Sequence, residues 1–111
     1  MKTAIAGIPL DLDPGQHEFD ILLRSPGLVR GLVFGQKKNL VLTAGAPQYV
    51  EQPVLLVECD PDGPLRSRKF ALVATNEVMT PKDGLIAKWC ASGIAIASGR
   101  MGHLFELVEA Q

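Results

Sequence analysis

Aromatic side chains are scarce in this chain, which has one tryptophan, one tyrosine and four phenylalanines among its 111 residues. Domains that bind single-stranded nucleic acid stack bases on exposed rings that lie beside basic residues. Most of the rings fall on the predicted core faces of strands, namely Phe19, Phe34, Phe70, Trp89 and Phe105. We therefore expect no nucleic-acid partner, and we interpret the basic residues at 37–38 and 66–69 as solvated charges that protect strand edges.

Net charge, cysteine and long apolar runs are also limited. The formal net charge is -1, which argues against a partner held by bulk charge. No run approaches the roughly 18 apolar residues of a membrane helix, and the apolar stretch at 3–7 is too short for the core of a signal peptide. We expect no membrane partner and a cytoplasmic location. Cys59 and Cys90 stand far apart in apolar runs, which favours two free buried thiols over a disulfide.

Motifs for catalysis and metal binding are missing. The chain has no nucleophile elbow, P-loop or dinucleotide fingerprint, and neither histidine has zinc-like spacing to a cysteine. Asp60 and Asp62 resemble the start of a calcium loop, but the remaining ligands are absent and a Pro-Asp-Gly turn explains them. We assign no catalytic residue, no metal and no cofactor.

His103 is the one candidate for a pocket. It shares a predicted strand face with Phe105 and Leu107, so a buried imidazole bonded to the backbone is one interpretation. The other is a small-ligand pocket or a hydrolase centred on His103, because a histidine titrates near neutral pH.

Glycine and proline, by contrast, are frequent and evenly spread, with 11 and 8 residues. The segments between them are rich in Val, Ile, Leu and Phe and lack helical periodicity, a pattern typical of short strands joined by turns. The pattern predicts one all-β domain over residues 1–111, a small sandwich or partly open barrel of about eight strands. The predicted strands cover residues 3–8, 17–22, 28–35, 40–44, 54–59, 66–75, a run from 85, and 103–107.

Three local features refine this prediction. Gly31, within an apolar strand that places Leu28 and Leu32 on one face, indicates a bulge or a close backbone approach. The polar residues 36–39 predict a hairpin connection into the strand at 40–44. The nearly continuous apolar run Val54–Cys59 predicts a strand covered on both faces.

Two irregular loops, 45–53 and 76–84, are longer than a compact domain of this size usually carries without a use. We place candidate partner-binding residues on them: Tyr49, Val50, Glu51, Lys82 and Asp83. The leading hypothesis is a non-catalytic protein-binding module. The alternative is self-association through strand edges or through apolar residues such as Tyr49, Val50 and Val54.

Several short motifs resemble a family of small phage-encoded domains of unknown function. They are the Leu-Arg-Ser-Pro-Gly-Leu-Val run at 23–29, the Asp-Pro turn at 60–61, and the closing Gly-His-Leu-Phe-Glu at 102–106. The resemblance implies a phage or prophage origin and expression in a bacterial cytoplasm, and it implies no reaction. The protein partner would then be a host protein bound by a phage accessory protein, or other copies within a phage particle.

Overall fold

The computed structural model describes residues 2–11, 17–39, 48–94 and 101–110, and within these ranges it contains seven strands and no helix. The prediction of an all-β fold is confirmed, and the strand predicted at 40–44 lies outside the described residues. The strands are β1 (Ala4–Pro9), β2 (Glu18–Arg24), β3 (Leu28–Asn39), β4 (Gln48–Cys59), β5 (Leu65–Ala74), β6 (Leu85–Ile94) and β7 (Met101–Glu109).

The strands form two antiparallel sheets, one ordered β1-β4-β3 and the other β2-β5-β7-β6. The edge strand β3 of the first sheet lies beside the edge strand β6 of the second. No ladder joins these two strands in the part of the chain that the structure describes. The fold is therefore a sandwich that stays open rather than a closed barrel.

The core lies between the inner faces of the two sheets. Because side chains alternate along a regular strand, every second residue points into this space, except where a bulge interrupts the alternation. The Phe19 and Phe70 rings stack there with their centroids 6.1 Å apart. The buried cluster consists of Leu23, Leu32, Phe34, Leu55, Val57, Cys59, Phe70, Ala91 and Leu104.

A pair of glycines lets β3 approach the second sheet closely. Gly93 of β6 and Gly102 of β7 lie opposite each other in the ladder. A Cβ atom at Gly93 would overlap the backbone oxygen of Leu32, and one at Gly102 would lie 2.7 Å from Cζ of Phe34. Any other residue at these two positions would force β3 and its Phe34 ring away from the sheet.

β3 contains the bulge that Gly31 indicated, because the register with β4 shifts between Val29 and Gly31. The extra residue reverses the alternation of side chains along the strand. Val29 therefore packs against the core together with Leu32, whereas Leu28 is exposed. The prediction that Leu28 and Leu32 share a face was wrong for this reason.

β4 begins earlier than the sequence predicted. Tyr49, Val50 and Glu51 lie in this strand, where they pair with residues 36–38 of β3. The prediction of a loop over 45–53 was therefore wrong for residues 48–53. The prediction of a hairpin connection at 36–39 was also wrong, because these residues belong to β3. Backbone groups pair whether or not the side chains are polar, so the ladder extends past the apolar part of both strands.

The run Val54–Cys59 has one buried face, not two. Leu55, Val57 and Cys59 are buried in the core, and the residues between them are half-buried on the outer face. β4 is the central strand of an antiparallel sheet, and such a sheet commonly packs only one face on a core. The prediction of cover on both faces was therefore wrong.

Candidate binding surface around Trp89

A second bulge, in β6, brings Trp89 and Ser92 to the same face of the sheet. Trp89 pairs with Phe105 and Ala91 with Leu104, so Cys90 is the extra residue between them. In a regular strand, residues three apart point to opposite faces. The extra residue shifts this alternation by one position, so the Trp89 and Ser92 side chains both lie on the outer face of the β2-β5-β7-β6 sheet.

A chain of hydrogen bonds connects four side chains on this face. The indole Nε1 of Trp89 donates to Ser92 Oγ at 3.1 Å. Ser92 Oγ lies 2.7 Å from Nδ1 of His103, and Nε2 of the same imidazole lies 2.7 Å from Thr75 Oγ1. With the ring proton on Nε2, donation runs in one direction from Trp89 through Ser92 and His103 to Thr75. Both imidazole nitrogens are occupied, which fixes the orientation of the ring.

Trp89 is 62% exposed, so its expected place in the core was wrong. Its bond to Ser92 ties the polar edge of the indole to the sheet, while most of the ring surface remains open to solvent. Ile94 and Met101, which pair across the ladder and are both exposed, continue the apolar surface on the same face. We call this surface the Trp89 patch, and it comprises Trp89, Ser92, Ile94, Met101, His103 and Thr75.

His103 shares a face with Phe105, as the sequence indicated, but this is the outer face of the sheet. The expected place of Phe105 on a core face was therefore wrong, and its ring is half-buried outside the core cluster. His103 is half-buried rather than buried. Its two ring nitrogens contact side-chain hydroxyls, and not the backbone as the first interpretation had it. His103 therefore lies on a partly exposed surface beside two hydroxyl groups. A small-ligand pocket or a hydrolase at this residue stays a prediction.

The five candidate partner-binding residues are divided between the two sheets. Tyr49, Val50 and Glu51 lie in β4 of the first sheet. Lys82 and Asp83 are exposed in the connection between β5 and β6 of the second sheet, which is irregular as expected. Their binding role stays a prediction.

The same β5–β6 connection lines a cavity. Val78, Met79 and Thr80 of the connection face Val73 of β5, and His17 and Glu18 complete a space of about 330 Å³. His17 Nδ1 also lies 3.1 Å from a carboxylate oxygen of Glu77. This contact joins the start of β2 to the connection.

Metal ligands do not gather in the part of the chain that the structure describes, which contains no group of three or more suitable side chains. Asp60 instead forms the turn that the sequence predicted. Its carboxylate accepts the Asp62 amide at 2.9 Å and its carbonyl accepts the Gly63 amide at 2.9 Å. Cys59 and Cys90 are both free thiols. Cys59 is buried as predicted, whereas the prediction that Cys90 is also buried was wrong, because it is half-buried.

A closely bonded ion pair lies on the opposite, inner side of the sheet. Arg68 donates two hydrogen bonds to Glu106, at 2.7 and 2.8 Å, and a third to the Gly27 carbonyl at 2.5 Å. Its guanidinium also lies 5.4 Å from the centroid of the Phe70 ring. The hydrogen bonds from Arg68 lower the pKa of Glu106, and those to Glu106 raise the pKa of Arg68.

The interpretation of residues 66–69 as solvated charges at a strand edge was wrong for Arg68, whose guanidinium is bonded to Glu106. Arg66 is exposed, and the ladder between β5 and β7 begins only at Lys69. Arg68 is a half-buried structural residue. The nearby thiol of Cys90 has its pKa raised mainly by burial, which keeps it protonated at neutral pH.

Comparison of the chain with family models, with curated proteins and with solved structures finds no match. The phage origin and the family resemblance therefore stay predictions. Residues 2–11, 17–39, 48–94 and 101–110 include no helix with the length and apolar character needed to cross a membrane.

Proposed function

We propose that this chain is a non-catalytic protein-binding module and that the Trp89 patch is its contact surface. The observation that carries the proposal is the exposure of Trp89, the chain's only tryptophan, on a strand that holds its polar edge in place. Tryptophan is enriched among the residues that dominate binding energy. An indole that is already positioned also loses little conformational freedom when a partner covers it.

The surroundings of the indole support the same proposal. Ile94 and Met101 add exposed apolar area on the same face, and methionine adapts readily to the shape of a partner. The Ser92 and His103 side chains lie between the indole and this apolar pair, so the patch combines two apolar parts with hydrogen-bonding groups between them. Protein interfaces commonly combine apolar contact area with several hydrogen bonds.

The hydrolase alternative has one favourable observation, the 2.7 Å contact between Ser92 and His103. In serine hydrolases the second imidazole nitrogen usually binds a carboxylate, which stabilises the charged ring as it takes the proton. Here that nitrogen contacts the Thr75 hydroxyl. A neutral hydroxyl stabilises an imidazolium less than a carboxylate does, so the geometry favours positioning of the indole over proton transfer.

The identity of the partner is the second part of the proposal. The resemblance to phage-encoded domains supports a bacterial host protein as the partner, with this chain as a phage accessory protein. The alternative, a component of a phage particle, predicts that the Trp89 patch binds another particle protein or another copy of this chain.

The test uses the single tryptophan as a probe. Tagged wild-type protein, Trp89→Ala and the control Val33→Ala, which removes an exposed apolar side chain from the other sheet, are compared for capture of proteins from bacterial lysate. We expect one stoichiometric partner for wild type and Val33→Ala. Trp89→Ala should bind it about 30-fold more weakly, as expected for a residue of this kind.

The purified partner is then titrated into protein labelled with 5-fluorotryptophan. Because only Trp89 carries the label, its fluorine resonance should shift on binding. The absence of a stoichiometric partner, or a partner that binds Trp89→Ala as tightly as wild type, would contradict the proposal.

A further inference from the structure

β1 has a free edge that carries no charge. It is the outer strand of the β1-β4-β3 sheet, and no strand in the described ranges pairs with its other side. Its sequence, Ala-Ile-Ala-Gly-Ile-Pro, contains no charged residue. Exposed edge strands usually carry charges or other protection because their unpaired backbone groups attract further strands. On β1, only Pro9 provides such protection, at the end of the strand.

The hydrogen bonds to β4 show which groups of β1 are free. Leu10 donates its amide proton to the Pro53 carbonyl at 2.9 Å, in register with the β1–β4 ladder. Backbone groups of successive residues point to opposite sides of a strand, so Ile5, Gly7 and Pro9 direct theirs away from β4. Proline has no amide proton, and β1 therefore offers two donors and three acceptors on its free edge.

We propose that a second copy of this chain pairs its β1 antiparallel to this edge, about a two-fold axis at Gly7. The amide of each Gly7 then donates to the Gly7 carbonyl of the second copy. The Ile5 amide donates to the Pro9 carbonyl of the second copy. Each free donor of β1 then has an acceptor. Only the Ile5 carbonyl lacks a donor, because Pro9 of the second copy lies opposite it and has no amide proton.

The self-complementary pairing favours a second copy as the occupant, and one apolar side chain lies at the contact. Ile5 is exposed on the outer face beside the edge, whereas the exposed Leu28 and Val33 lie on the same face two strands away. A two-fold axis perpendicular to the sheet keeps the outer faces on one side, so the two apolar faces join into one six-stranded surface. Ile5 of one copy then lies beside Pro9 of the other. Such self-complementary pairing is the property of an isologous interface.

The interface is short, because it involves one strand of six residues from each copy. Stable protein interfaces bury about 800 Å² on each partner, which six edge residues do not provide. The dimer should therefore form and dissociate with protein concentration.

Sedimentation equilibrium over a series of concentrations tests the proposal with two matched variants. Ile5→Lys places a charge beside the free edge, where Ile5 is 57% exposed. The control Val33→Lys places the same charge on the same outer face two strands away, where Val33 is 46% exposed. We expect wild type and Val33→Lys to form a dimer with similar Kd, and Ile5→Lys to dimerise at least about tenfold more weakly.

Amide hydrogen exchange of wild-type protein locates the contact without any substitution. The Ile5 and Gly7 amides should exchange more slowly as the concentration rises, because only the second copy protects them. A chain that stays monomeric at every concentration, a dimer in which these two amides are unaffected, or equal weakening by both lysine variants would overturn the proposal. Trp89→Ala should dimerise like wild type, so this test is independent of the proposed function.

Discussion

The two faces of the β2-β5-β7-β6 sheet each carry an aromatic ring beside polar side chains, but only the ring on the inner face is buried. The inner face carries an aromatic ring, Phe70, beside the Arg68–Glu106 ion pair. The outer face carries Trp89 beside its chain of hydroxyl and imidazole groups. Phe70 is fully buried while Trp89 is 62% exposed. Burial of a side chain on this sheet therefore depends on what packs against its face, which is the other sheet for Phe70 and the β5–β6 connection for Val73.

Removal of the two rings should have the largest and most unequal effects on stability. Phe70→Ala should lower the free energy of unfolding by about 3–5 kcal/mol, because it opens a cavity between the sheets. Trp89→Ala should lower it by less than about 1 kcal/mol, since an exposed ring contributes little to folding. Urea denaturation measures both values. Similar losses for the two variants would show that the outer face is part of the core.

The close approach at Gly93 belongs to the inner face alone. Gly93→Ala should destabilise the fold by about 3 kcal/mol, because the added methyl group overlaps the Leu32 backbone, which has no side-chain freedom to move aside. The matched control is Gly35→Ala, where an added Cβ meets nothing within 4 Å. It should change stability by less than about 0.5 kcal/mol. Thermal denaturation compares the two, and equal stabilities would contradict the close packing of β3 against β6.

The Arg68–Glu106 pair should give the inner face a pH dependence. Arg68→Met removes the hydrogen bonds to a half-buried carboxylate and should cost about 2 kcal/mol at neutral pH. The control Arg30→Met breaks the more exposed pair with Glu58, whose N–O distance is 3.3 Å, and should cost less than about 0.5 kcal/mol.

The direction of the pH effect follows from the lowered pKa of Glu106. A carboxyl group whose pKa is lower in the folded state stabilises the fold above its ordinary value, 4.5, and this stabilisation disappears as the pH falls through the folded-state pKa. In Glu106→Gln, the part of the stability loss at acidic pH that comes from this carboxyl group should be absent. Urea denaturation of wild type and Glu106→Gln at several pH values between neutral and acidic measures this part. The same loss of stability at acidic pH in both proteins would contradict the role of this pair.

Much of the fold could be predicted from local patterns. Glycine and proline mark the turns at 25–27 and 60–64, and alternation places Phe19 and Ile21 against the core. These features depend on a few neighbouring residues, whose turn preferences and side-chain directions are set by the backbone itself. The bulge near Gly31 was predictable for the same reason, because a glycine within a strand is a local signal.

The candidate site depended on a feature that leaves no such signal. The bulge at Cys90 has no glycine or proline beside it, so regular alternation separated Trp89 from Ser92. Trp89 was expected in the core because it shares an apolar face with Leu85 and Ala87, and that face is the outer one. The extension of β3 and β4 through residues 36–39 and 48–53 was missed because polar side chains resemble a connection, whereas the pairing is made by the backbone. Both errors concern the register between distant strands, which a single sequence does not encode locally.

The bulge at Cys90 divides β6 into two segments of opposite phase. Before the bulge, Trp89 and the residues two and four positions earlier face outward. After it, the outward set is 92 and 94, while Ala91 and Gly93 face the core and β3. Deletion of Cys90 would leave a regular ladder with the same pairs, in which Ser92 and Ile94 still face outward. If Cys90 instead paired as an ordinary ladder residue, every residue after it would turn to the other face, and Ser92 and Ile94 would point inward. The binding surface therefore depends on Cys90 staying outside the ladder.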